Sequence, residues 1–340
     1  MMQPIKTIAL TFAAVLVAGQ AFAGATVDEI KERGAVRCGV SGALAGFALP
    51  DSQGVMQGLD ADVCRAVAAA LLGDATAVEF VPLSAQQRFT ALQSGEVDLL
   101  SRNTTWTLTR DTSLGMDFVG TTFYDGQGFM VPTSLGVSST SELDGAAICV
   151  QSGTTTEKNL TDYFRATGMS FQPVVFEGFE ESVTAFVNGR CDAYTTDASG
   201  LASIRVSNVS NPDDYMILPE IISKEPLGPA VRNDDSEWFD IVRWTVFAML
   251  NAEEAGITSE NIDSFKGSDD PNIARIMGDE PGMGASMGID DAWAYNIVSQ
   301  VGNYGEVFER NVGASTPLGF QRGINALWTQ GGLMYAPPIR

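Results

Sequence analysis

Two groups of polar residues have the side chains needed to bind a small zwitterion. The first group is Ser41, Asn103, Thr104, Thr105 and Arg110, and the second is Gln151, Ser152, Gly153, Thr154, Thr155 and Asp197. The guanidinium of Arg110 can bind a carboxylate through two parallel hydrogen bonds, and the carboxylate of Asp197 can accept hydrogen bonds from an ammonium group. The hydroxyl and amide side chains can satisfy the remaining hydrogen bonds. We therefore predict a binding site for a small polar molecule that carries both charges.

Some of these residues also have a structural interpretation. Thr104, Thr105 and Thr107 could cap the turn that precedes Arg110. Asp197 could be the N-cap of a helix that follows it. Residue types and spacing alone leave both interpretations open.

The chain contains no histidine, which excludes the common hydrolytic sites. Ser-His and Cys-His pairs need an imidazole base, and the common catalytic zinc sites need at least one histidine ligand. The run from Gly39 to Ala43 is similar to a nucleophile elbow but lacks its final glycine. We therefore predict no catalytic residue, no metal ligand and no cofactor.

An internal repeat indicates how the chain positions the two polar groups. Residues 34–42 and 145–153 are each a short apolar run that ends in Ser-Gly, as expected of a buried strand leading into a tight turn. Residues 89–98 and 183–192 each contain a helix end, a glycine and the start of a strand. Because both similarities occur in the same order, the chain is predicted to contain two copies of one α/β unit.

Helices and strands alternate in both copies. The first copy predicts a helix over 60–72 and a strand over 78–83, and the second predicts a helix over 156–166, a strand over 171–176 and a helix over 180–188. Such alternation predicts an α/β fold with mainly parallel sheets flanked by helices. Ligands of open parallel sheets bind beyond the carboxyl ends of the strands, where both polar groups lie. Two facing lobes would thus enclose a ligand between them.

The order of the units predicts two lobes joined by two chain segments. The assigned ranges are 24–130 for lobe 1, 131–224 for lobe 2, and 225–340 for a return to lobe 1 with C-terminal helices. The segments 129–132 and 223–231 are predicted to link the lobes, because their prolines do not suit a helix interior. Further helices are predicted near 236–255 and 292–310.

Residues 1–23 have the features of an export signal. Lys6 precedes the apolar run 8–17, which is followed by Ala-Phe-Ala ending at Ala23. A lipoprotein anchor would need a cysteine where Gly24 stands. We predict cleavage after Ala23 and a periplasmic mature protein.

The composition is strongly acidic, with 42 acidic against 20 basic residues and a formal net charge of −22. Nucleic acids and anionic lipid surfaces both attract a basic protein face, so neither is an expected partner. The acidity indicates solubility, and we expect a monomer.

Four cysteines allow three disulfide pairings. An oxidising compartment favours disulfides over buried free thiols, although four thiols remain an alternative. Cys38 and Cys149 occupy equivalent positions in the two copies, so the symmetrical pairing is one bridge in each lobe. We predict Cys38–Cys64 and Cys149–Cys191.

Several short motifs are similar to those of a known protein family. They are Gly58-Leu59-Asp60-Ala61-Asp62, Leu92-Gln93-Ser94-Gly95-Glu96-Val97-Asp98, Thr105-Trp106-Thr107-Leu108-Thr109-Arg110, Gly153-Thr154-Thr155 and Asp197. In combination they resemble the periplasmic solute-binding proteins of ABC-type amino-acid permeases, over nearly the whole mature chain. The run 102–106 and the tail ending in Pro337-Pro338 resemble the general L-amino-acid branch.

The resemblance implies a type II periplasmic-binding-protein fold and a function in amino-acid uptake. It implies that Arg110 and Thr105 bind the α-carboxylate of the ligand with help from Thr155, and that Asp197 binds the α-ammonium group. Its implied partners are L-amino acids and the membrane permease of an ABC transporter.

The chain departs from the resemblance at several positions of the expected site. Ser41 stands where many relatives have an acid, and Leu44 and Ala85 stand where aromatic side chains sandwich the ligand. These replacements predict a roomy pocket with broad specificity, in which Gln151, Arg88 and Arg102 could meet polar ligand side chains. That set of contacts is an expectation from the resemblance.

Two other functional classes compete with a transport binding protein. An exported dehydratase or lyase on the same fold would need a further cleft carboxylate as acid or base, and the strand ends offer only Asp197. A sensory binding domain would need a following transmembrane or signalling segment, and we find no such pattern in the sequence. The binding protein is therefore the preferred hypothesis.

Overall fold

The computed structural model describes residues 24–340, so the predicted signal peptide lies outside the described residues. The strands are β1 (Val36–Val40), β2 (Leu49–Pro50), β3 (Met56–Gln57), β4 (Val78–Pro82), β5 (Leu99–Leu100), β6 (Met116–Phe118), β7 (Phe123–Asp125), β8 (Gln127–Pro132), β9 (Ala147–Gln151), β10 (Gln172–Phe176), β11 (Ala193–Asp197), β12 (Tyr215–Ile217), β13 (Glu225–Leu227) and β14 (Ala230–Arg232). The helices are α1 (Ala25–Arg33), α2 (Leu59–Leu72), α3 (Gln87–Ser94), α4 (Leu108–Ser113), α5 (Thr155–Thr167), α6 (Phe179–Val187), α7 (Ala198–Ser207), α8 (Ser236–Glu254), α9 (Pro271–Met277), α10 (Trp293–Gln300) and α11 (Tyr304–Asn311).

Each lobe contains one five-stranded sheet, and the two sheets have the same design. Lobe 1 has the order β4-β1-β5-β14-β6, and lobe 2 has the order β10-β9-β11-β8-β12. In each sheet the first three strands are parallel and the fourth is antiparallel to the third. The predicted α/β fold with two copies of one unit is confirmed.

The predicted elements match the observed helices and strands within two residues, with one exception. The helix expected over 292–310 is two helices, α10 and α11. Gly302, with φ +98°, ends the first, and Asn303 caps the second by accepting a hydrogen bond from the amide of Glu306. The side chain of Glu306 completes a capping box, a local signal for a new helix start.

Two antiparallel segments connect the lobes, and they pair as the short sheet of β7 and β13. The segment predicted at 223–231 contains β13, but the prediction for 129–132 was wrong. Those residues belong to β8, which lies between β11 and β12 inside the sheet of lobe 2. Phe129, Met130 and Val131 are fully buried. A continuous apolar run is typical of such a strand, and the strand begins inside the range assigned to lobe 1.

The C-terminal part of the chain packs on lobe 1. Trp293, Tyr304 and Phe308 belong to one apolar core with residues of α2 and α8. The carboxylate of Asp62 in α2 accepts hydrogen bonds from Arg310 and Asn311, at 2.9 and 2.7 Å. Asp62, the second acid of the Asp60-Ala61-Asp62 motif, therefore connects α2 to α11.

Both predicted disulfides are confirmed. Cys38 and Cys64 join β1 to α2 with Cα atoms 6.1 Å apart, and Cys149 and Cys191 join β9 to the chain just before β11 with Cα atoms 5.6 Å apart. Each bridge lies within one lobe, so it leaves the two lobes free to move relative to each other. Within residues 24–340, the helices lack the combination of length and apolar character that a membrane span requires.

Candidate functional site

A cavity between the lobes collects polar residues from both strand-end groups. Its lining residues are Ser41, Leu44, Arg88, Arg102, Asn103, Thr105, Gln151, Thr154, Thr155, Thr156, Phe179, Thr196, Asp197 and Gly200. The centres of water molecules can occupy about 40 Å³ of this space, which is room for only a few waters. The lobes are therefore closed over the site.

The rim of the cavity is also closed by a contact between the lobes. The side-chain amide of Gln86 in lobe 1 donates a hydrogen bond to the hydroxyl of Ser152 in lobe 2, at 2.6 Å. A Cβ atom added at Gly153 would lie 2.8 Å from Cγ of Gln86. Gly153 has φ +74°, so the turn needs a glycine for its conformation and for the close approach of the lobes.

Seven of the eight predicted ligand-binding residues line the cavity, and Arg110 lies directly behind it. Its guanidinium donates a hydrogen bond to the backbone oxygen of Thr105, at 2.9 Å, and lies over the ring of Phe89 with 5.0 Å to the centroid. Arg110 is 7% exposed. Burial lowers its pKa to about 10, although Glu225 and Asp197 favour its charged form. Arg110 therefore remains a cation next to Thr105.

Asp197 is at the N-cap position of α7, but its side chain makes no capping hydrogen bond. The carboxylate faces the cavity instead. Burial raises its pKa well above the usual range, and the carboxylates of Asp125 and Glu225 add to the effect. A buried carboxylate without a local donor is suited to accept an ammonium group, because a ligand cation would stabilise its charge.

The helix-capping roles belong to other residues. The hydroxyl of Thr107 accepts a hydrogen bond from the amide of Arg110, and the hydroxyl of Thr154 accepts one from the amide of Glu157. The Thr154 hydroxyl also donates to the backbone oxygen of Gln151, at 2.7 Å. Its hydrogen atom is thus used within the turn, and the side chain of Thr154 has little left to donate to a ligand.

Two further arginines, Arg88 and Arg102, line the cavity. Arg102 donates to the backbone oxygen of Leu83, at 2.9 Å, and burial lowers its pKa to about 10. Arg88 is 3% exposed, and its Nε has no hydrogen-bond partner in the described part of the chain. Burial lowers the pKa of Arg88 well below its usual range, and the positive charges of Arg102 and Arg110 contribute. An unpaired buried donor of this kind favours an acceptor on a ligand.

Asp60, the other acid of the Asp-x-Asp motif, positions the end of a lobe 1 strand. Its carboxylate accepts a hydrogen bond from the amide of Asn103, at 2.7 Å, and one from the hydroxyl of Ser101, at 3.5 Å. Asn103 has φ +33°, which is unusual for a residue other than glycine. The hydrogen bond from its amide holds this turn, which leads directly into Thr104 and Thr105.

The other predicted cavity residues have local hydrogen bonds. The hydroxyl of Ser41 accepts from the amide of Ala43, at 3.4 Å, and the side-chain amide of Gln151 donates to the backbone oxygen of Glu177, at 2.9 Å. Leu44 lines the cavity as expected, whereas Ala85 is buried and is not a lining residue. Ala85 is therefore not part of the cavity wall.

Sequence reasoning missed Phe179 and Glu225. Phe179 begins α6 and supplies an aromatic wall from lobe 2. Glu225 is 1% exposed on the linking strand β13. Its carboxylate accepts hydrogen bonds from the hydroxyls of Thr105 and Thr155, at 2.6 and 2.8 Å. The available signal for Glu225 was that it is the one acid of the linking segment 223–231 and directly precedes a proline.

Within residues 24–340, no group of three histidine, cysteine, aspartate or glutamate side chains is arranged to hold a metal ion. The cleft instead combines three buried arginines with carboxylates, hydroxyls and amides. Such a set can bind a small charged molecule through hydrogen bonds and ion pairs. Comparison with known proteins supports this interpretation.

Residues 36–260 match the family model of bacterial extracellular solute-binding proteins, family 3. The chain belongs to this family. It is 56% identical over 331 residues to the general L-amino acid-binding periplasmic protein AapJ of Rhizobium johnstonii, and this match covers 96% of this chain and 97% of the relative. It is 57% identical over 328 residues to the glutamate/glutamine/aspartate/asparagine-binding protein BztA of Rhodobacter capsulatus, with 96% of each chain covered.

A solved structure has the same fold over nearly the whole chain. It is an ABC transporter/periplasmic binding protein from Brucella ovis with glutathione bound. Its sequence is 55% identical, its TM-score is 0.90, and the match covers 93% of this chain and 99% of that one. The two-lobed fold of this family member is therefore shown by the structure and by its neighbour.

Proposed function

We propose that this family 3 binding protein captures free L-amino acids between its lobes and delivers them to an ABC permease. The observation that carries the proposal is the opposition of charges across the closed cavity. Asp197, from lobe 2, is a buried carboxylate without a capping role. Arg110 lies behind Thr105 in lobe 1 as a buried cation. A free amino acid carries the two complementary charges on neighbouring atoms.

The ligand would therefore be bound by its α-groups. Asp197 accepts from the α-ammonium group, and Arg110 with the neighbouring backbone attracts the α-carboxylate. Charge-assisted hydrogen bonds of this kind are roughly twice as strong as neutral ones. The names of AapJ and BztA, both related over most of the chain, support this ligand class.

The side chain of the ligand would extend toward Arg88 and Arg102. Both line the cavity, and the unpaired Nε of Arg88 supplies a donor for a carboxylate or a carboxamide. Leu44 from lobe 1 and Phe179 from lobe 2 add apolar contacts. This mixture favours acidic and amide side chains while still accepting apolar ones, in agreement with the ligands in the name of BztA.

The mature protein would be a periplasmic monomer, cleaved after Ala23, that docks on the membrane permease of its transporter. It would release its amino acid chemically unchanged, because the matching relatives are named as binding proteins. A proton NMR spectrum of L-glutamate incubated with the protein should therefore show no product.

Calorimetric titration with L-Glu, L-Gln, L-Asp, L-Leu and L-Arg tests the proposal. We expect several of these ligands to bind within about 1.4–3 kcal/mol of one another, or roughly 10- to 150-fold in Kd, because the α-groups supply most of the recognition. The D-enantiomer of the tightest ligand is the matched control, since it presents the same charges in the wrong geometry. One ligand that binds a thousandfold better than all others would contradict the broad specificity, and no binding at all would contradict the function.

A further inference from the structure

Glu225 connects three parts of the molecule. It lies on β13, the linking strand that pairs with β7. Its carboxylate accepts four hydrogen bonds, from the hydroxyls of Thr105, Thr155 and Ser223 and from the side-chain amide of Asn159. Thr105 belongs to lobe 1, whereas Thr155 and Asn159 belong to lobe 2. The donors to one carboxylate thus come from both lobes and from the linking segment.

The two threonine hydroxyls share a single oxygen atom of Glu225. Thr105 donates to Oε2 at 2.6 Å, and Thr155 donates to the same atom at 2.8 Å. The two hydroxyl oxygens are 3.3 Å apart. This distance exists only when the lobes are closed, because the threonines are attached to different lobes. Opening the cleft must break at least one of the two hydrogen bonds.

The second oxygen atom of Glu225 is held from the other side. Oε1 accepts from the amide of Asn159 at 2.7 Å and from the hydroxyl of Ser223 at 2.6 Å. A carboxylate that is 1% exposed needs such partners, since an unpaired buried charge is strongly unfavourable. The closed arrangement satisfies both oxygens. An opened arrangement would have to replace the lost donors with water.

We propose that Glu225 is a positioning residue that clamps the closed lobes together and so sets how long a bound ligand is retained. The proposal rests on the function proposed above and adds the element that regulates release. Glu225 is not among the residues that line the cavity. It acts through Thr105 and Thr155, which do line it, by holding their hydroxyls in one orientation.

Glu225→Ala and Glu225→Gln test this role with L-glutamate as the ligand. Stopped-flow tryptophan fluorescence measures association and dissociation separately. Because the clamp forms on closing, Glu225→Ala should accelerate dissociation roughly 10- to 100-fold, the effect of losing hydrogen bonds to a charged group. Association should change less than threefold, since related complexes differ mainly in dissociation. Glu225→Gln, which retains one acceptor oxygen, should fall between Glu225→Ala and the wild type.

Glu253→Ala is the matched control, because Glu253 is also a well-paired acid, and its partner Arg322 lies in the C-terminal part of the chain that packs on lobe 1. Its carboxylate binds Arg322 through two hydrogen bonds, at 2.9 and 3.2 Å. This variant should lower the melting temperature and leave the dissociation rate unchanged. A merely structural role for Glu225 would produce the same pattern as Glu253→Ala.

Asn159→Ala provides a second variant if Glu225→Ala does not fold. It removes one lobe 2 donor and should accelerate dissociation about three- to tenfold. Combined with Glu225→Gln it should add less than its separate effect, since both act on one network. Wild-type dissociation rates in Glu225→Gln and Asn159→Ala would overturn the clamp. A wild-type protein that binds no amino acid would instead overturn the proposed function, and the clamp with it.

Discussion

Three buried arginines and several buried carboxylates lie in or next to the cavity, and each charged group has different neighbours. Arg102 donates to a backbone oxygen, Nε of Arg88 lacks a partner among the described residues, and Arg110 lies between Thr105 and the ring of Phe89. The hydrogen bond to Thr105 gives Arg110 a structural contribution as well as an electrostatic one. A test of Arg110 must therefore separate affinity from stability.

Arg110→Ala should weaken amino-acid binding by about 2–5 kcal/mol, or roughly thirty- to several-thousandfold, because the ligand carboxylate would be left without its cation. Arg110→Lys should recover only part of this loss, since an ammonium group lacks the planar fork. Calorimetry measures the affinity, and differential scanning calorimetry measures the melting temperature of the ligand-free variant.

Arg243→Ala is the control for Arg110→Ala. Arg243 also donates to a backbone oxygen, that of Val119 at 3.0 Å, and lies 4.0 Å from the centroid of the Phe239 ring. It is not a lining residue of the cavity. Both variants should melt at lower temperature, but only Arg110→Ala should lose affinity. If the two variants bind amino acids with equal affinity, Arg110 has only a structural role.

Asp60 makes the stability of the ligand-free protein depend on pH. Burial raises its pKa to about 6, whereas an unfolded aspartate has a pKa of about 3.9. The folded state therefore binds this proton more tightly, and the resulting stability is present below about pH 4 and is lost as the pH rises through 6. Between pH 4 and pH 7, the free energy of unfolding of Asp60→Asn should therefore rise by on the order of 2–3 kcal/mol relative to that of the wild type.

Urea unfolding of both proteins at several pH values measures this difference. Asp51→Asn is an informative control, because hydrogen bonds from Gln57 and from the Val55 and Gln53 amides lower the pKa of Asp51. The pKa of Asp51 is shifted in the opposite direction, so its contribution to stability is lost as the pH falls. The free energy of unfolding of Asp51→Asn should therefore decrease relative to that of the wild type as the pH rises. A constant difference between wild type and Asp60→Asn would refute the linkage.

At the scale of the elements, the turn between β9 and α5 of lobe 2 contacts lobe 1. Ser152 accepts a hydrogen bond from Gln86, Gly153 approaches the same side chain, and Thr154 caps the helix. Thr155 follows as the first residue of α5. Four consecutive residues thus make two contacts with Gln86, cap α5 and donate one hydrogen bond to Glu225.

Gly153→Ala should weaken ligand binding about tenfold by obstructing closure, since the new Cβ would lie 2.8 Å from Cγ of Gln86. The positive φ of +74° adds a cost of roughly 1–2 kcal/mol in stability. Gly136 has nearly the same φ, +75°, and a Cβ added in Gly136→Ala would meet no atom within 4 Å from the rest of residues 24–340, its two chain neighbours aside.

Comparison of these two variants isolates the contact between the lobes. Both should lose similar stability in urea unfolding, and only Gly153→Ala should bind more weakly by calorimetry. Gln86→Ala in the Gly153→Ala background should restore part of the affinity by removing the obstruction. The prediction fails if the two glycine variants lose affinity equally.

At the scale of the whole molecule, two rigid lobes face each other across a two-stranded link. Each lobe has its own disulfide and its own apolar clusters. The link consists of three residue pairs between β7 and β13. Such a short connection can absorb a hinge motion while the lobes keep their internal packing.

Small-angle X-ray scattering should show this motion. We expect the ligand-free protein to have a larger radius of gyration than the protein saturated with its tightest amino acid, because ligand contacts favour the closed arrangement. The D-enantiomer at the same concentration should leave the scattering curve unchanged. Equal radii with and without a saturating ligand would contradict the hinge.

Much of this organisation was predictable from the sequence. The repeat predicted two α/β units, because strands, helix ends and turns have local signals. The same repeat predicted the disulfide pairs Cys38–Cys64 and Cys149–Cys191, since Cys38 and Cys149 are equivalent in the two copies and the symmetrical pairing places one bridge in each lobe. Polar residues after apolar strands predicted the edge at which the cavity forms. Each of these inferences depends on residues close together in the chain or on the symmetry of the copies.

Only the tertiary structure decided the remaining points. Asp197 stands where a helix cap is expected, and its freedom from that role became visible only in the folded cleft. Glu225 receives a hydrogen bond from Thr105, which is 120 residues away in the chain. The run 129–132 resembled a link until the strands β11 and β12 were placed on either side of it. Burial and hydrogen-bond partners of this kind come from distant segments, and no local pattern encodes them.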